Sequence, residues 1–178
     1  MGQGFPECGV GASRPVRAVV ALGSNLSGDY GSPLDLLEAA LSFFSQAGLP
    51  VLRRSSWWRS SAWPDLSANE YRNGVAIVEA TMDAEATIQR LLEIERRFGR
   101  IRGRRNADRT LDLDLIDHGG RLMETSELTL PHPRAHERRF VMGPLAEIAP
   151  DWRHPRLGRS ASDFAAEAVI GLDARPVP

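Results

Sequence analysis

The chain has 178 residues, 42% hydrophobic and 25% charged, enough for one core and too few for two ordinary domains. All 22 basic residues are arginine against 23 acidic ones, a net charge of −1, which excludes a generally basic nucleic-acid or membrane-surface binder, while the lack of lysine excludes Walker A, protein-kinase and Schiff-base chemistry. Cys8 stands alone, so a disulfide framework, a thiolate zinc site and a CxxC redox pair are excluded too.

Residues 1–15 hold four glycines and two prolines and little that could be buried, which predicts a disordered leader ahead of one domain over 16–178. VRAVVAL (16–22) is short and β-branched and breaks at Gly23-Ser24-Asn25, a buried strand ending in a turn. Ser32-Pro33 opens a helix as N-cap and first helical residue; Leu34, Leu37, Leu41 and Phe44 form its apolar stripe, and Gly48 with Pro50 ends it. A second strand is predicted over 51–59, with Trp57 and Trp58 on opposite faces and one of them in the core, then a loop over 60–69 and a third strand over Tyr71–Ala80. Residues 81–98 form the longest helical segment, stopped by Gly99. A fourth strand, TLDLDLIDH (110–118), is expected to turn at Gly119-Gly120 into a hairpin with Arg121-Leu122-Met123, leaving Asp117 and His118 as strand-end surface. A loop with Pro131 and Pro133 leads to a helix near 138–149, and 160–170 forms a short terminal helix. The order β-α-β-β-α-β predicts an α+β, ferredoxin-like core with two helices on one face of an antiparallel sheet, plus a C-terminal hairpin and helices.

Asp112 and Asp114 stand two apart in the fourth strand, so both carboxylates share one face while Leu111, Leu113 and Leu115 take the other. Alone, that string reads more simply as an amphipathic strand with its polar face in water. Its neighbourhood changes the reading. Seven of the fourteen residues from 96 to 109 are arginine, and Arg109 precedes Asp112 by three. A solvated helix end or an RNA-contacting loop would account for the arginines by themselves. Guanidinium forks and carboxylate-bound Mg²⁺, however, grip the same phosphate oxygens, and paired metals of this kind sit about 3.5–4 Å apart. The combination describes a polyphosphate site without a P-loop.

RTLDLDL (109–115), with GSN at 23–25, YRN at 71–73, LPHP at 130–133 and ERRFVMGPLAEIAP at 137–150, resembles the 6-hydroxymethyl-7,8-dihydropterin pyrophosphokinases of folate biosynthesis, in collinear order from about 16 to 158. The resemblance implies transfer of diphosphate from ATP to the pterin's hydroxymethyl group with release of AMP, two Mg²⁺ ions and a ferredoxin-like fold. It implies that Asp112 and Asp114 bind the metals and, with Arg100 and Arg109, form the catalytic group. Arg100, Arg109, His132 and Arg138 would hold ATP or product phosphates, and Glu95 would lie near the nucleotide. Tyr71 and Phe140 would sandwich the pterin ring, Asn73 would read its polar edge, and Ser60 and Trp63 would belong to its loop. Without the family, Phe140 is a core residue, Asn73 an edge residue and His132 a turn cap. Two departures are visible: Asn106-Ala107-Asp108 replaces the tryptophan-glycine-proline of many members in a loop one residue shorter, and Ser61 stands where a loop proline is familiar.

The same element order is that of the RRM, an RNA-binding module, but no RNP1-like string occurs and the charge is not basic. A catalytically dead paralogue is a third reading, which AMP release would discriminate. The expected partners are ATP and 6-hydroxymethyl-7,8-dihydropterin, with no nucleic acid and no membrane. No apolar run approaches the roughly 18–20 residues of a membrane span, and the first fifteen residues lack a signal peptide's apolar core, so with the lone Cys8 the expectation is a cytoplasmic protein; a monomer is expected, though no residue pattern carries that expectation.

Overall fold

β-Branched and small residues make β1 (Val16–Ser24) a central strand, paired antiparallel with β4 (Tyr71–Ala80) from Val16↔Ala80 to Ser24↔Arg72. The computed structural model describes residues 14–62, 69–100 and 110–178; Cys8 and residues 1–13 of the expected leader therefore lie outside the described residues. On the other side of β1 runs β5 (Asp112–His118), antiparallel. β2 (Val51–Arg54) and β3 (Trp58–Ser60) pair in turn with β4, and β8 (Arg175–Pro176) adds to β3, giving the order β5-β1-β4-β3-β8.

α1 (Pro33–Phe43) starts as expected, Ser32 Oγ accepting the Asp35 N–H at 3.2 Å. With α2 (Ala84–Arg97) it covers one face of the sheet, burying Leu36, Leu37, Leu91 and Ile94 against Ala18, Val20, Ala76, Val78, Leu113 and Leu115. α3 (Arg139–Ile148) and α4 (Ala161–Glu167) cover the other face, over Val19, Ala21, Val75, Ile77 and Ile116. The sheet is thus the middle of three layers. Among the described residues no helix is long and apolar enough to cross a membrane.

Three local expectations are corrected. The second strand is broken after Arg54, because Ser55 replaces a ladder bond with its side chain: its N–H donates to Val75 O at 2.9 Å and its Oγ accepts the Val75 N–H at 3.0 Å. Both tryptophans beyond the break are half-buried, Trp57 against Gly74 and Trp58 against Gly143, where an added Cβ would stand 2.6 Å from either indole. Arg121-Leu122-Met123 does not pair back on β5. That edge is occupied, Leu113 N–H by the Glu95 carboxylate and Ile116 O by the His132 N–H, and β6 (Met123–Glu124) pairs instead with β7 (Thr129–Leu130).

The third correction concerns Asp117 and His118, which are 5% and 1% exposed. β5 continues to His118, and a bulge sets Ile116 and Asp117 together opposite Val19. Asp117 therefore faces the α3 layer and accepts from Trp152 Nε1 at 3.1 Å, while His118 turns under α2 with Nε2 3.2 Å from Thr87 Oγ1.

His154 is buried against His136, Trp152 and Phe164, and its Nδ1 accepts the Leu157 N–H. Burial, then the charges of His136 and Arg156, hold its pKa below the ordinary value of 6.5. The unfolded chain therefore binds this proton more readily, and the contribution to stability is lost as pH falls from 6.5 through the folded pKa. Urea unfolding at pH 7.5 and 5.5 is expected to show a difference in stability that His154→Gln shifts in favour of the lower pH. An unaltered difference in the variant would exclude His154 as its source.

Candidate active site

Register places the site. Gly23 pairs with Asn73 on one side and Asp112 on the other, and two residues back Ala21 pairs with Val75 and Asp114. Strand alternation then sets Asn73, Tyr71, Asp112 and Asp114 on the α3 face, opposite the leucines that pack on α1 and α2. Gly23 is the floor between the amide and the carboxylate: a Cβ there would lie 3.6 Å from Asn73 Oδ1 and 3.9 Å from Asp112 Cβ.

The two carboxylates are partly exposed, 22% for Asp112 and 35% for Asp114, and each meets an arginine from a different element. α2 ends in a Schellman motif: Gly99, at φ +78°, donates to Arg96 O, and Arg100 N–H donates back to Glu95 O at 3.0 Å. That turn sends Arg100 across to β5, where Nη1 donates to Asp112 Oδ1 at 2.6 Å and also to Glu95 Oε1. Glu95 is 2% exposed, and the same oxygen accepts the Leu113 N–H at 2.7 Å. Burial pushes its pKa up to about 7, with the Leu113 hydrogen bond and the Arg100 charge opposing. A depression of about 360 Å³ lined by Gln89, Leu92, Glu95, Arg96 and Arg100 opens beside this pair.

Asp114 is approached from the opposite side. Arg138, at the start of α3, places Nη1 3.4 Å from Asp114 Oδ2, and His132 Nε2 lies 4.0 Å from the same oxygen. The His132 backbone is pinned by its N–H to Ile116 O at 2.9 Å, and its Nδ1 accepts the Arg134 N–H. Burial lowers the His132 pKa, against the pull of Asp114 and with the help of Arg138. The ring is therefore neutral with its proton on Nε2, a donor aimed at the carboxylates.

A second group sits across Gly23. Asn73 and Ser60 are buried, and Asn73 Nδ2 donates to Ser60 Oγ at 3.0 Å, which leaves Oδ1 over the Gly23 row. Tyr71 is half-buried on the same face. Phe140, the second residue of α3, is also half-buried, with the Arg138 guanidinium 5.8 Å from its ring centroid. The expected residues Glu95, Arg100, Asp112, Asp114, His132 and Arg138 thus converge on β5, and Ser60, Tyr71, Asn73 and Phe140 on the neighbouring β4–α3 side. Trp63, Arg109 and the Asn106-Ala107-Asp108 departure lie outside the described residues.

Sequence reasoning missed Gly23 as the floor shared by both groups and Glu95 as the residue that orients Arg100. The first could have been found from GSN at a strand end facing an asparagine. The second carried no signal, since a glutamate in an arginine-rich helix reads as solvated.

Two carboxylates on one face fit Mg²⁺, which takes one or two carboxylates and fills its remaining positions with water and phosphate oxygens. Among the described residues no group of three or more His, Cys, Asp or Glu gathers into an all-protein metal cage. The flanking guanidiniums and the neutral imidazole are phosphate-binding groups. The arrangement can hold a polyphosphate over β5 and a flat polar ring over Gly23.

The family model for 7,8-dihydro-6-hydroxymethylpterin-pyrophosphokinase matches residues 19–150. A 2-amino-4-hydroxy-6-hydroxymethyldihydropteridine pyrophosphokinase of Synechocystis is 45% identical over 144 residues, covering 80% of this chain and 71% of that protein. A protein of the same name from Haemophilus influenzae is 37% identical over 162 residues, covering 89% and 99%. The crystal structure of wild-type Plasmodium falciparum HPPK-DHPS superposes with a TM-score of 0.69 at 11% identity, over 92% of this chain and 48% of that one. The chain spans about half the length of that structure, and at this identity the likeness speaks to fold alone.

Proposed function

The chain belongs to the 7,8-dihydro-6-hydroxymethylpterin-pyrophosphokinase family, and from that premise we propose how its residues divide the reaction. The reaction itself is transfer of diphosphate from ATP to the hydroxymethyl group of 6-hydroxymethyl-7,8-dihydropterin, a step of folate biosynthesis. The observation that carries the proposal is the Asn73–Gly23–Asp112 row, which sets a ring-reading amide and a phosphate-side carboxylate one strand apart on either side of a residue with no side chain.

Asp112 and Asp114 would hold two Mg²⁺ ions, whose charge would offset that of the triphosphate. Arg100 and Arg109 bind the phosphates and draw charge from the transferring group. Glu95 acts on the nucleotide through Arg100, which it holds toward β5, and the depression beside them receives the nucleoside end. His132 donates its Nε2 proton to a phosphate oxygen, and Arg138 serves the same oxygens or the product. The protein mainly positions and neutralises, bringing the β-phosphorus in line with the hydroxymethyl oxygen.

On the pterin side, Tyr71 and Phe140 supply the aromatic faces. Asn73 Oδ1, with its Nδ2 held by Ser60, accepts from an N–H of the ring edge; Trp63 belongs to the adjoining loop. An unpaired edge group would cost about 1–3 kcal/mol, which is why a fixed amide is needed beside the stack. Residues 16–178 act as one unit, since β8 joins the main sheet and α4 packs on α3.

AMP release from ATP that requires both Mg²⁺ and the pterin tests the proposal; AMP formation at the same rate with EDTA would remove the metal. Tyr71→Ala and Phe140→Ala are each expected to weaken pterin binding by about 0.5–1.5 kcal/mol beyond the lost apolar contact, with ATP affinity little changed. Calorimetry with the opposite ordering would mean that the sandwich is misassigned.

A further inference from the structure

Residues 169–177 lie beyond the stretch matched by the family model, yet they tie together β3 and the start of α3, which carry Ser60 and Phe140 of the pterin-side residues. At one end the Val169 and Ile170 N–H groups both donate to Glu137 O, at 3.1 and 3.0 Å, and Arg139 N–H donates to Ile170 O at 2.9 Å, directly before Phe140. At the other end Val177 N–H donates to Trp57 O at 2.8 Å, and Arg175 pairs with Arg59 in the sheet.

Between these anchors lie two contacts of a different kind. Asp173 Oδ2 accepts the Ser61 N–H at 2.6 Å. Ser61 follows the last residue of β3, so a carboxylate, and not the sheet, takes its N–H, and it is bonded directly to Ser60, whose hydroxyl fixes Asn73. Burial would raise the Asp173 pKa, but hydrogen bonds from Ser61 outweigh it and hold the carboxyl below its ordinary value, so it is ionised at neutral pH. Gly171 has φ +68°, and a Cβ there would stand 2.5 Å from Phe140 Cδ1, so the segment lies directly against that ring. The first anchor brackets Arg138, whose backbone bridges to Ile170, but the Gly171 and Asp173 contacts lie beyond it and touch neither Arg138 nor Arg100, Asp112, Asp114 or His132.

We propose that residues 169–177 are a strap that fixes the spacing between Phe140 and the Ser60–Asn73 pair, with Gly171 and Asp173, which lie past the Arg138 anchor, as positioning residues that set pterin affinity and act little on the phosphate side. The inference rests on the assignment of Tyr71, Asn73 and Phe140 to the pterin.

Asp173→Ala removes the acceptor. It is expected to raise the pterin KM about tenfold, the order of one hydrogen bond to a charged group, with kcat and the ATP KM little changed. Asp173→Asn keeps an oxygen for the Ser61 N–H and is expected to recover most of the affinity. Gly171→Ala puts a methyl group into Phe140 and is expected to raise the pterin KM at least as far. Steady-state kinetics with each substrate varied, a fluorescence titration of the pterin and a thermal melt on the same samples give the readout. An unchanged pterin KM in Asp173→Ala, equal losses for pterin and ATP, or an Asn variant as impaired as the Ala variant would each overturn the strap. Should Gly171→Ala not fold, the Asp173 pair decides. Tyr71→Ala, run alongside, separates two failures: if it weakens pterin binding and Asp173→Ala does not, the strap alone fails, and if neither does, the pterin assignment fails with it.

Discussion

Asp112→Asn and Asp114→Asn are each expected to fold normally and to lose at least about 10²-fold in kcat/KM, roughly 2.7 kcal/mol of transition-state stabilisation. Both side chains are partly exposed on the site face of β5, and the strand is held by Leu111, Leu113 and Leu115 on its other face, so the amide replacements leave the core intact. What they remove is negative charge where Arg100 meets Asp112 and where Arg138 and His132 meet Asp114. The site becomes more cationic and loses its anionic ligands for a metal, so the lost rate should not return at high Mg²⁺. Kinetics at saturating Mg²⁺, with melting temperatures as the control for folding, decide it; near wild-type activity in either variant would remove that aspartate from the assignment.

Arg109→Ala is expected to lower kcat by about 10²–10³-fold while weakening ATP binding far less, because a donor aimed at developing charge acts mainly in the transition state. Arg109→Lys should recover little, since an ammonium keeps the charge and loses the bidentate fork. Arg100 is anchored at the end of α2 by Glu95 and Asp112 and is part of the preformed site. Steady-state kinetics paired with an ATP titration test the expectation; an unchanged kcat in both variants would return the arginine-rich segment to a solvated loop.

The elements whose signals are local were legible in the sequence. Ser32-Pro33 starts α1 and Tyr71–Ala80 is β4 with the expected bounds, while α2 runs from Ala84 to the stop at Gly99. The same-face aspartates were legible because a period of two needs no tertiary information. What escaped depended on partners distant in the chain. Ser55 breaks a strand only because its hydroxyl meets Val75. Asp117 read as surface because the second helical layer, built from α3 and α4, was not foreseen over that end of the sheet, and His118 because the bulge that turns it under α2 leaves no local pattern. β8 is two residues long and includes Pro176, so no pattern announces it. Of the site, the chemistry-bearing side chains were readable and the backbone floor was not: Gly23 acquires its meaning from having Asn73 and Asp112 as neighbours on separate strands.

The bulge in β5 has a consequence for how this strand tolerates change in length. Ile116 is the surplus residue of the pair facing Val19; striking it out would restore a regular ladder with Leu115 still opposite Val20 and His118 still opposite Ala18, and the leucine stripe would be undisturbed. What would vanish is a buried side chain of the α3 layer and one backbone oxygen, the one that receives the His132 N–H. A one-residue gap here would therefore keep the alternation of the strand while emptying the Ile116 place under α3 and α4 and unmooring the histidine segment from the aspartate strand. The integrity of the phosphate side depends on a count of residues as well as on their kinds.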